Sequence, residues 1–506
     1  MAAAMDDVCI VGSGFGGAVA AYELSLAGWQ VRLLERGPWR NTLPMRSAVA
    51  QGLLPAEQLA PLPQGRHFFS HGCLRLHHPW LPAQGLSLHR HGLLEVFADK
   101  GIRAVCASGV GGGSHAYGGL HARPLRADYW DGHHAALSSN AMAPHYDAML
   151  ALFQSAPAPN AAHPLRQGQP VQAWEQDPSS PFHPLAPEQE PHWGYLLAAS
   201  AAPQERQMQG LLRREADFQR EGMFGSPDGG KTTLDATCIL PAMARGLVVE
   251  AQTTLERIVK QGDGSFCLYV RQGKALEQRW AKRVILAAGA LNTCWVLMRS
   301  QAAGGLASMP ALGQGFASNG DSMAYFPVRT PGAAHSQHGM YQRIFAHQDD
   351  PLGPVFLQTG LSGLGAVPIM GALKRYLDRD LFISAMGIDA VNGQLQWQNG
   401  RLRLHYQRDA NPVFARIDAH LERLGALSGQ RLFSSSTVTT VHPLGGARVG
   451  SDAASSVVDG WGQVHQNPGL YVADASVLPA ALGSPPSLSI AAWARHVAQG
   501  LLGQFV

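Results

Sequence analysis

The feature that most constrains this chain is a glycine motif near its start, placed between an apolar run and a stretch with helical composition. Gly12, Gly14 and Gly17 stand in a G-x-G-x-x-G hexapeptide that directly follows the apolar residues 8–11. Such a run is typical of a buried parallel strand, and residues 18–27 have the composition of a helix. The first glycine permits a tight turn, the second lets the backbone approach a pyrophosphate, and the third lets helix and strand pack closely. The motif predicts a Rossmann-like unit that binds a dinucleotide at a helix N-terminus.

An acidic residue at the end of the second apolar run supports the same interpretation. Glu35 follows the glycine motif by about twenty residues, where a carboxylate can bind the ribose hydroxyls of an unphosphorylated adenosine. Phe15 and Gly16 complete the hexapeptide and are predicted to bind the cofactor with it. The alternative is a glycine-rich structural turn, which the surrounding strand, helix and acid disfavour. The motif itself does not separate FAD from NAD.

A second glycine cluster spans residues 108–119 and includes Gly109, Gly112, Gly113 and Ser114. Its chemistry predicts a backbone that approaches a flat or phosphorylated group, and the alternative is a loop that needs positive φ. The segment closely resembles the GVGGGS loop of the glucose–methanol–choline (GMC) oxidoreductases, most nearly their cholesterol oxidase branch. In that family the loop lies along the flavin, so the resemblance implies FAD as the cofactor.

Further segments resemble GMC motifs in the family's order along nearly the whole chain. They are residues 231–235, 247–253, 284–293, 315–320, 441–446 and 470–476. The resemblance implies a further set of cofactor contacts, namely Val249, Ala288, Gly289, Asp474, Ala475 and Pro486. The last helix is predicted to begin near Pro486, and its N-terminal dipole is expected to stabilise the anionic reduced flavin.

His442, in the segment 441–446, is the predicted catalytic base. An imidazole beside the flavin can accept the hydroxyl proton of a substrate while hydride leaves the carbon. The matching histidine of the family does this or orients the hydroxyl, and the alternative is a structural histidine. Gln358 falls near a family glutamate implicated in catalysis or oxygen access, where it would replace a titratable base by a neutral amide.

Two other positions depart from the family pattern around the substrate. Pro485 stands where sterol oxidases carry an asparagine, and proline has neither a side-chain donor nor a backbone N–H. Tyr117 stands near the flavin where cholesterol oxidases have an asparagine, and its hydroxyl is predicted to supply the missing donor. Covalent members of the family attach flavin through a histidine in the glycine-loop region, where this chain has His115. We nevertheless expect the FAD to be non-covalent.

The order of the motifs predicts two interleaved domains in an α/β fold. With 506 residues the chain is too long for one compact core. The Rossmann-like FAD-binding domain is expected to be discontinuous, formed by residues 1–40, 100–155, 225–320 and 430–506. An inserted α+β substrate-binding domain with lid segments is expected from residues 41–99, 156–224 and 321–429.

Composition excludes several other classes of protein. Charged residues make up 15% and hydrophobic residues 46%, which is typical of a globular chain, and a net charge of +3 gives no case for a nucleic-acid partner. Residues 1–7 lack the pattern of a signal peptide, and no apolar stretch of membrane-spanning length occurs, so neither secretion nor stable membrane insertion is expected.

The cysteines and histidines bear on the compartment and on metal binding. The six cysteines have no C-x-x-C spacing and are expected to be free thiols of a reducing compartment, by default the cytoplasm. The histidine-rich stretch 67–91, which includes Cys73, matches no common zinc spacing, so no metal is expected.

The function implied by the resemblance is oxidation of an alcohol to a carbonyl compound, with hydride passing to the flavin N5 and then to oxygen or another acceptor. Scarce charged residues in the inserted segments favour a hydrophobic alcohol. Pro485 and Gln358 motivate an alternative, a flavin-dependent isomerisation or other non-oxidase reaction on a lipid or natural product. A third alternative is a flavin-binding protein without turnover.

Overall fold

The structure is a computed structural model that describes residues 5–61, 72–160, 162–167, 169, 171–178, 180, 182–186, 189–198, 202–223, 225–330, 333–338, 341–347, 350–363 and 369–503. The α-helices within these residues are α1 (Phe15–Leu26), α2 (Leu43–Ala50), α3 (Ser139–Leu152), α4 (Leu240–Met243), α5 (Ala290–Ala302), α6 (Gly371–Leu377), α7 (Pro412–Ser428) and α8 (Ser487–Gly503).

The strands, in chain order, are β1 (Asp6–Val11), β2 (Val31–Leu34), β3 (Cys73–His77), β4 (Leu86–Ser87), β5 (Leu94–Asp99), β6 (Ile102–Ala107), β7 (Leu120–His121), β8 (Phe182–Pro184), β9 (His192–Trp193), β10 (Glu205–Met208), β11 (Leu211–Arg214), β12 (Val248–Glu250), β13 (Thr253–Lys260), β14 (Phe266–Gln272), β15 (Ala275–Leu286), β16 (Gln314–Phe316), β17 (Ser322–Phe326), β18 (Tyr341–His347), β19 (Asp350–Thr359), β20 (Leu381–Met386), β21 (Gly393–Gln398), β22 (Arg401–His405), β23 (Phe433–Ser434), β24 (Val438–Thr440) and β25 (Leu470–Val472).

The largest sheet contains the predicted dinucleotide-binding unit. Its strands lie in the order β12-β2-β1-β15-β14-β13, and β25 pairs with the second half of β15. The contacts among β12, β2, β1, β15 and β25 are parallel, whereas β13 and β14 continue the sheet as an antiparallel meander. Val8, Cys9 and Ile10 are fully buried, as expected for a central strand covered on both faces.

This sheet joins distant parts of the chain. α1 packs against α8, so the first and last described helices cover the same region. Gly16 of α1 lies so close to the end of β25 that an added Cβ would stand 1.6 Å from the carbonyl oxygen of Ala473. The predicted α/β fold class is confirmed. The predicted domain boundaries stay a prediction, and the one at residue 99 falls in the turn between the paired strands β5 and β6.

A second sheet, of six antiparallel strands, faces the first across the site described below. Its order is β23-β17-β20-β19-β18-β8. α7 covers one face of this sheet with a stripe of buried residues at helical spacing, formed by Val413, Ile417, Leu421 and Leu424. The other face is left to line a cavity.

A five-stranded sheet, in the order β24-β6-β5-β3-β4, brings two predicted site segments together. β24 and β6 are parallel neighbours, with Val438 paired to Ile102 and Thr440 to Ala104. Parallel strands end at the same edge of a sheet. The second glycine cluster, which follows β6, and His442, which follows β24, therefore lie at one edge. Smaller sheets are formed by β16-β21-β22, β10-β11 and β7-β9.

Among the described residues, no helix has both the length and the apolarity needed to cross a membrane.

Candidate active site

A cavity of about 1120 Å³ lies between the dinucleotide-binding sheet and the six-stranded sheet. Most of the predicted site residues line it, namely Gly12, Gly14, Phe15, Gly16, Glu35, Gly112, Gly113, Tyr117, Ala288, Gly289, His442, Asp474, Ala475, Pro485 and Pro486. Five predicted residues do not line it, namely Gly17, Gly109, Ser114, Val249 and Gln358. The fold thus collects residues from both ends and the middle of the chain around one space.

Three glycines form a cradle that fits an elongated dinucleotide. An added Cβ at Gly14, Gly113 or Gly289 would meet no atom within 4 Å, and all three residues line the cavity. A side chain at any of them would therefore occupy the space in which a ligand can lie. Gly14 also precedes α1, so the N–H groups at the start of that helix face the same space. The residues present fit FAD.

Other glycine-motif residues act through packing rather than by lining the cavity. An added Cβ at Gly17 would stand 1.8 Å from the carbonyl oxygen of Gly12, which is the close helix–strand approach that the motif predicts. Ser114 donates to the carbonyl of Gly111 at 2.7 Å and accepts from the N–H of Leu234 at 3.0 Å. These residues hold the loops that shape the cavity.

Glu35 connects the two glycine segments. Its carboxylate accepts from the N–H and hydroxyl of Ser13 at 3.2 and 2.7 Å, from the N–H of Gly37 at 2.8 Å and from the N–H of Gly109 at 3.2 Å. Through the last bond Gly109 helps to join the two glycine segments, although it does not line the cavity. Glu35 also lines the cavity, and its predicted contact with a ribose stays a prediction.

Asp474 has a comparable role at a second junction of the dinucleotide-binding sheet. Its carboxylate accepts from the N–H of Gly289 at 2.9 Å and from the hydroxyl of Thr293. Its second oxygen accepts from the N–H and hydroxyl of Ser476 at 2.9 and 2.6 Å. Burial raises the pKa of Asp474 despite these donors. The carboxylate thereby joins the start of α5 to the segment that follows β25.

His442 is held by a carboxylate that sequence analysis did not identify. Nδ1 of His442 lies 2.9 Å from Oδ1 of the buried Asp321. The other oxygen of Asp321 accepts from the hydroxyl of Thr440 at 2.9 Å and from the N–H groups of Val441 and His442 at 2.9 and 3.2 Å. The only sequence signal for Asp321 is its position directly after the predicted turn 315–320.

Asn319, in the same turn, shapes the backbone on which Pro485 lies. Its side-chain oxygen accepts from the N–H groups of Leu482 and Gly483, both at 3.0 Å, and its nitrogen donates to the carbonyl of Ser484 at 2.9 Å. Asn319 adopts φ +59°, a left-handed conformation that asparagine tolerates better than most residues. Pro485 itself lines the cavity and brings no donor to it.

Tyr117 lines the cavity, but its hydroxyl has other partners. It donates to the carbonyl of Thr232 at 2.9 Å and lies 3.3 Å from Nε2 of His121. Nδ1 of His121 is 2.6 Å from the hydroxyl of Ser155. Because the phenolic proton is directed at Thr232, the geometry does not support the predicted role of Tyr117 as the substitute donor for Pro485.

Gln358 lies on the wrong face of its strand for a contact with substrate. Its neighbours Leu357 and Thr359 line the cavity, and strand side chains alternate between faces. Gln358 is fully buried on the opposite face, near the carboxylate of Glu175. The structure therefore places Gln358 in the interior behind the sheet, and its predicted catalytic role stays a prediction.

Two further residues of the cofactor segments lie away from the cavity. Val249 lies on β12, partly buried against the core, and the cavity wall there is formed by Thr253–Leu255 instead. His115 is buried with Nε2 2.8 Å from the carbonyl of Val110 and 3.4 Å from Asp235. Since His115 does not line the cavity, the geometry gives it no route to a covalent flavin bond.

Lys231 holds the second glycine segment through hydrogen bonds to its backbone. Its ammonium donates to the carbonyls of His115, Tyr117 and Gly222 at 2.8, 2.9 and 2.8 Å, which uses all three of its donors. Burial lowers the pKa of Lys231 to about 7, opposed by Glu221. The segment 231–235 resembled a family motif, but these hydrogen bonds were not predicted.

One side of the cavity is formed by the dinucleotide-binding sheet and the strands beside it, and is called the nucleotide side below. It carries an ion pair. The buried Glu95 contacts Arg36, which lines the cavity, and lies 2.8 Å from Nε2 of His77. Burial opposes ionisation of Glu95, but Arg36 and His77 together hold its pKa at about 2. Within the described chain, which leaves out His67 and His71, no three His, Cys, Asp or Glu side chains converge as metal ligands.

The fold and site together define a class of protein: a dinucleotide-binding oxidoreductase with a histidine–carboxylate pair facing the cofactor cavity. The chain belongs to the GMC oxidoreductase family, because the two family models, both described as GMC oxidoreductase, match residues 10–318 and 403–494. The predicted family, the FAD cofactor and an oxidoreductase activity on CH–OH donors are thereby confirmed.

Individual relatives are more distant. The chain is 24% identical over 564 aligned positions to a cholesterol oxidase of Mycobacterium tuberculosis, covering 97% of this chain and 90% of that protein. A paromamine 6'-oxidase of Streptomyces fradiae is 45% identical over 65 residues, 13% of this chain and 12% of that protein. The crystal structure of pyridoxine 4-oxidase from Mesorbium loti matches with a TM-score of 0.57 at 15% identity, covering 98% and 99% of the two chains. The last likeness shows the fold alone.

Proposed function

We propose that this chain oxidises an uncharged, largely apolar alcohol to a carbonyl compound, with His442 as the base that accepts the hydroxyl proton. The observation that carries the proposal is the 2.9 Å contact between Nδ1 of His442 and the Asp321 carboxylate, at the wall of the cofactor cavity. An ionised carboxylate is an acceptor only, so it selects the tautomer with the proton on Nδ1.

That tautomer leaves Nε2 of His442 with a free lone pair. A substrate hydroxyl placed against Nε2 can give up its proton as the carbinol hydrogen leaves. Asp321 then stabilises the imidazolium that results. Bound FAD supplies the hydride acceptor. Gly14, Gly113 and Gly289 provide the space along which it would lie.

The charge distribution of the cavity supports an uncharged substrate. Among the described lining residues, the charged side chains other than Asp321 and His442 lie on the nucleotide side and are Glu35, Arg36, Arg75, Glu256, Arg271, Arg299 and Asp474. The six-stranded sheet contributes apolar and hydroxyl side chains to the opposite wall. A charged substrate would lose hydration there without gaining a partner.

A second candidate is flavin-dependent isomerisation or another reaction without net oxidation. It is favoured by Pro485, which leaves the cavity without the donor found in sterol oxidases, and by the engagement of the Tyr117 hydroxyl with Thr232. We also propose the domain division predicted from the sequence, with the strands β8 and β17–β20 of the six-stranded sheet as the core of the substrate-binding part.

The test is anaerobic flavin reduction by a panel of aliphatic, alicyclic and aromatic alcohols, with sugars as a polar comparison. We expect bleaching by uncharged apolar alcohols, and a rate about 10²–10⁴-fold lower in His442→Ala with FAD still bound. His405→Ala, an exposed histidine on β22, is the matched control. Product formed without bleaching would favour the second candidate. A comparison of the rates at which air and an artificial electron acceptor reoxidise the reduced flavin separates an oxidase from a dehydrogenase.

The same preparation tests the mode of cofactor binding. Acid precipitation is expected to release FAD into the supernatant, because His115 lies away from the cavity. Flavin retained in the protein pellet would contradict non-covalent binding.

A further inference from the structure

The cavity wall opposite the nucleotide side is one face of the six-stranded sheet. Directly paired residues of antiparallel strands point to the same face. Met323 pairs with Ser384, and Tyr325 pairs with both Phe382 and, on its other side, Phe433. All five residues line the cavity. The wall therefore presents aromatic rings beside a serine hydroxyl.

The aromatic part of this wall is a contiguous surface. The rings of Tyr325 and Phe382 have centroids 5.4 Å apart, and those of Tyr325 and Phe433 are 6.4 Å apart. The hydroxyl of Tyr325 donates to the buried Asp380, which holds the ring in place. An aromatic surface of this kind packs well against a ring-shaped apolar body.

Ser384 interrupts this surface with a free polar group. It lies in the middle of the sheet, paired with Met323 on one side and Leu357 on the other. Among the described residues its hydroxyl has no hydrogen-bond partner, whereas the hydroxyl of Thr359, on the same face, donates to the carbonyl of Phe382 at 3.3 Å. Ser384 can therefore both donate to and accept from a ligand in the cavity.

The distance from Ser384 to the reacting end follows from the strand register. Asp321, which holds His442, immediately precedes β17, and Met323 is the second residue of that strand. Met323 is two residues beyond Asp321 along the strand direction, and Ser384 lies beside Met323 on the neighbouring strand. These two steps place the backbone of Ser384 roughly 8 Å from that of Asp321. A molecule with a single ring can span that separation.

We propose that the substrate is an uncharged alcohol whose ring carries a second hydroxyl or carbonyl group, and that Ser384 binds this second group while the reacting hydroxyl lies at His442. This inference rests on the proposed function. It makes Ser384 a specificity residue, since it recognises a part of the substrate that does not react.

The test compares two alcohols of equal size, 4-(2-hydroxyethyl)benzyl alcohol and 4-propylbenzyl alcohol, as reductants of the bound flavin in the holoenzyme under anaerobic conditions. We expect the parent to prefer the hydroxyethyl compound by about 3–10-fold in the ratio of reduction rate to Kd, as for one neutral hydrogen bond. Ser384→Ala should abolish the preference. Ser435→Ala, an exposed lining residue of the same cavity, should keep it.

Binding is measured separately from reaction. The corresponding 4-(2-hydroxyethyl)- and 4-propylbenzaldehydes are titrated against the oxidised holoenzyme, with Kd read from the change in flavin absorbance. The same preference, lost in Ser384→Ala, is expected. A parent without preference, or a Ser384→Ala variant that retains it, overturns the inference. Failure of every alcohol to reduce the flavin overturns the proposed function instead, while the aldehyde titration still decides the role of Ser384.

Discussion

The side-chain amide of Asn319 donates to the carbonyl oxygen of Ser484 at 2.9 Å, across 165 residues of chain. Its oxygen accepts two further N–H groups of the same turn, so one buried side chain sets the backbone that leads to Pro485 and α8. The turn 315–320, which directly precedes Asp321, is thereby coupled through Asn319 to the segment that leads to the last helix.

Removal of that side chain is expected to loosen the substrate end of the cavity. Asn319→Ala leaves three backbone groups without their partner, at a cost of about 1–3 kcal/mol for each group that stays buried. We expect a lower melting temperature and slower flavin reduction with FAD retained. Asn319→Asp keeps the two acceptor contacts but places a buried carboxylate against the carbonyl oxygen of Ser484, so it should also lower both quantities. An Asn319→Ala variant with the melting temperature and reduction rate of the parent would contradict this account.

Asp321→Asn tests whether the carboxylate positions His442. An amide can donate as well as accept, so it no longer selects the Nδ1–H tautomer of His442. We expect flavin reduction to slow by about 10–10³-fold, with FAD content unchanged. Stopped-flow reduction over a pH series is the measurement, since a positioning role changes the pH profile as well as the rate. A pH profile of the same shape as that of the parent, at a lower rate throughout, would indicate that Asp321 has a structural role only.

Position 485 distinguishes the two candidate functions. Pro485→Asn introduces a donor at the cavity wall, and one donor aimed at developing charge typically contributes about 10²–10³-fold in rate. We expect Pro485→Asn to raise flavin reduction by simple alcohols by about 10–100-fold. If the parent does not oxidise alcohols at all while Pro485→Asn does, the isomerase alternative becomes the better account.

Tyr117→Phe is expected to lower the rate of flavin reduction by less than about threefold, because the phenolic proton is directed to the carbonyl of Thr232 rather than to the cavity. The measurement is the same anaerobic reduction. A loss as large as that of His442→Ala would show that the hydroxyl does reach the substrate and would restore the role predicted from the sequence.

Gly14→Leu tests the cradle without straining the backbone, since Gly14 adopts φ −70° and faces open space. The side chain would fill cavity volume, so we expect a folded protein that lacks the absorbance of bound flavin. Gly262→Leu is the matched control, because an added Cβ there also meets no atom within 4 Å but the residue lies outside the cavity. Normal FAD content in Gly14→Leu would contradict the proposal that FAD lies along Gly14.

His121 predicts a pH dependence of stability. Burial lowers the pKa of His121 from 6.5 to about 3, with a further contribution from His192. Between these values the unfolded chain binds a proton that the folded chain does not, so stability falls as the pH drops below 6.5. We expect His121→Gln to flatten the decline of melting temperature between pH 6.5 and 4.5. His405→Gln, on the surface, should leave the parent slope unchanged.

The glycine motifs of the nucleotide half are visible in the sequence because backbone geometry determines their residue types. Gly12 needs φ +95°, Gly17 needs the absence of a Cβ, and both demands leave a visible pattern. The partners of His442 left no such pattern. Asp321 is a carboxylate 121 residues away, joined to His442 only by the fold.

Gln358 shows how a linear resemblance leaves the orientation of a side chain undetermined. Linear proximity to a family position suggested a catalytic residue, but a shift of one residue along a strand moves a side chain to the other face. Leu357 and Thr359 line the cavity in its place. Resemblance can locate a strand without determining which of its faces a residue occupies, and side-chain contacts such as that of Tyr117 with Thr232 are likewise absent from the linear pattern.

The pairing of β25 with β15 and the packing of α8 on α1 also constrain how the protein is made. Both elements lie in residues 470–503, so the residues before them emerge from the ribosome before the dinucleotide sheet has β25 and before α8 covers its part of α1. Domains that are contiguous in sequence can fold as synthesis proceeds. Here the cofactor site is complete only when residues 470–503 are in place, and we therefore expect FAD to bind after these residues have been synthesised.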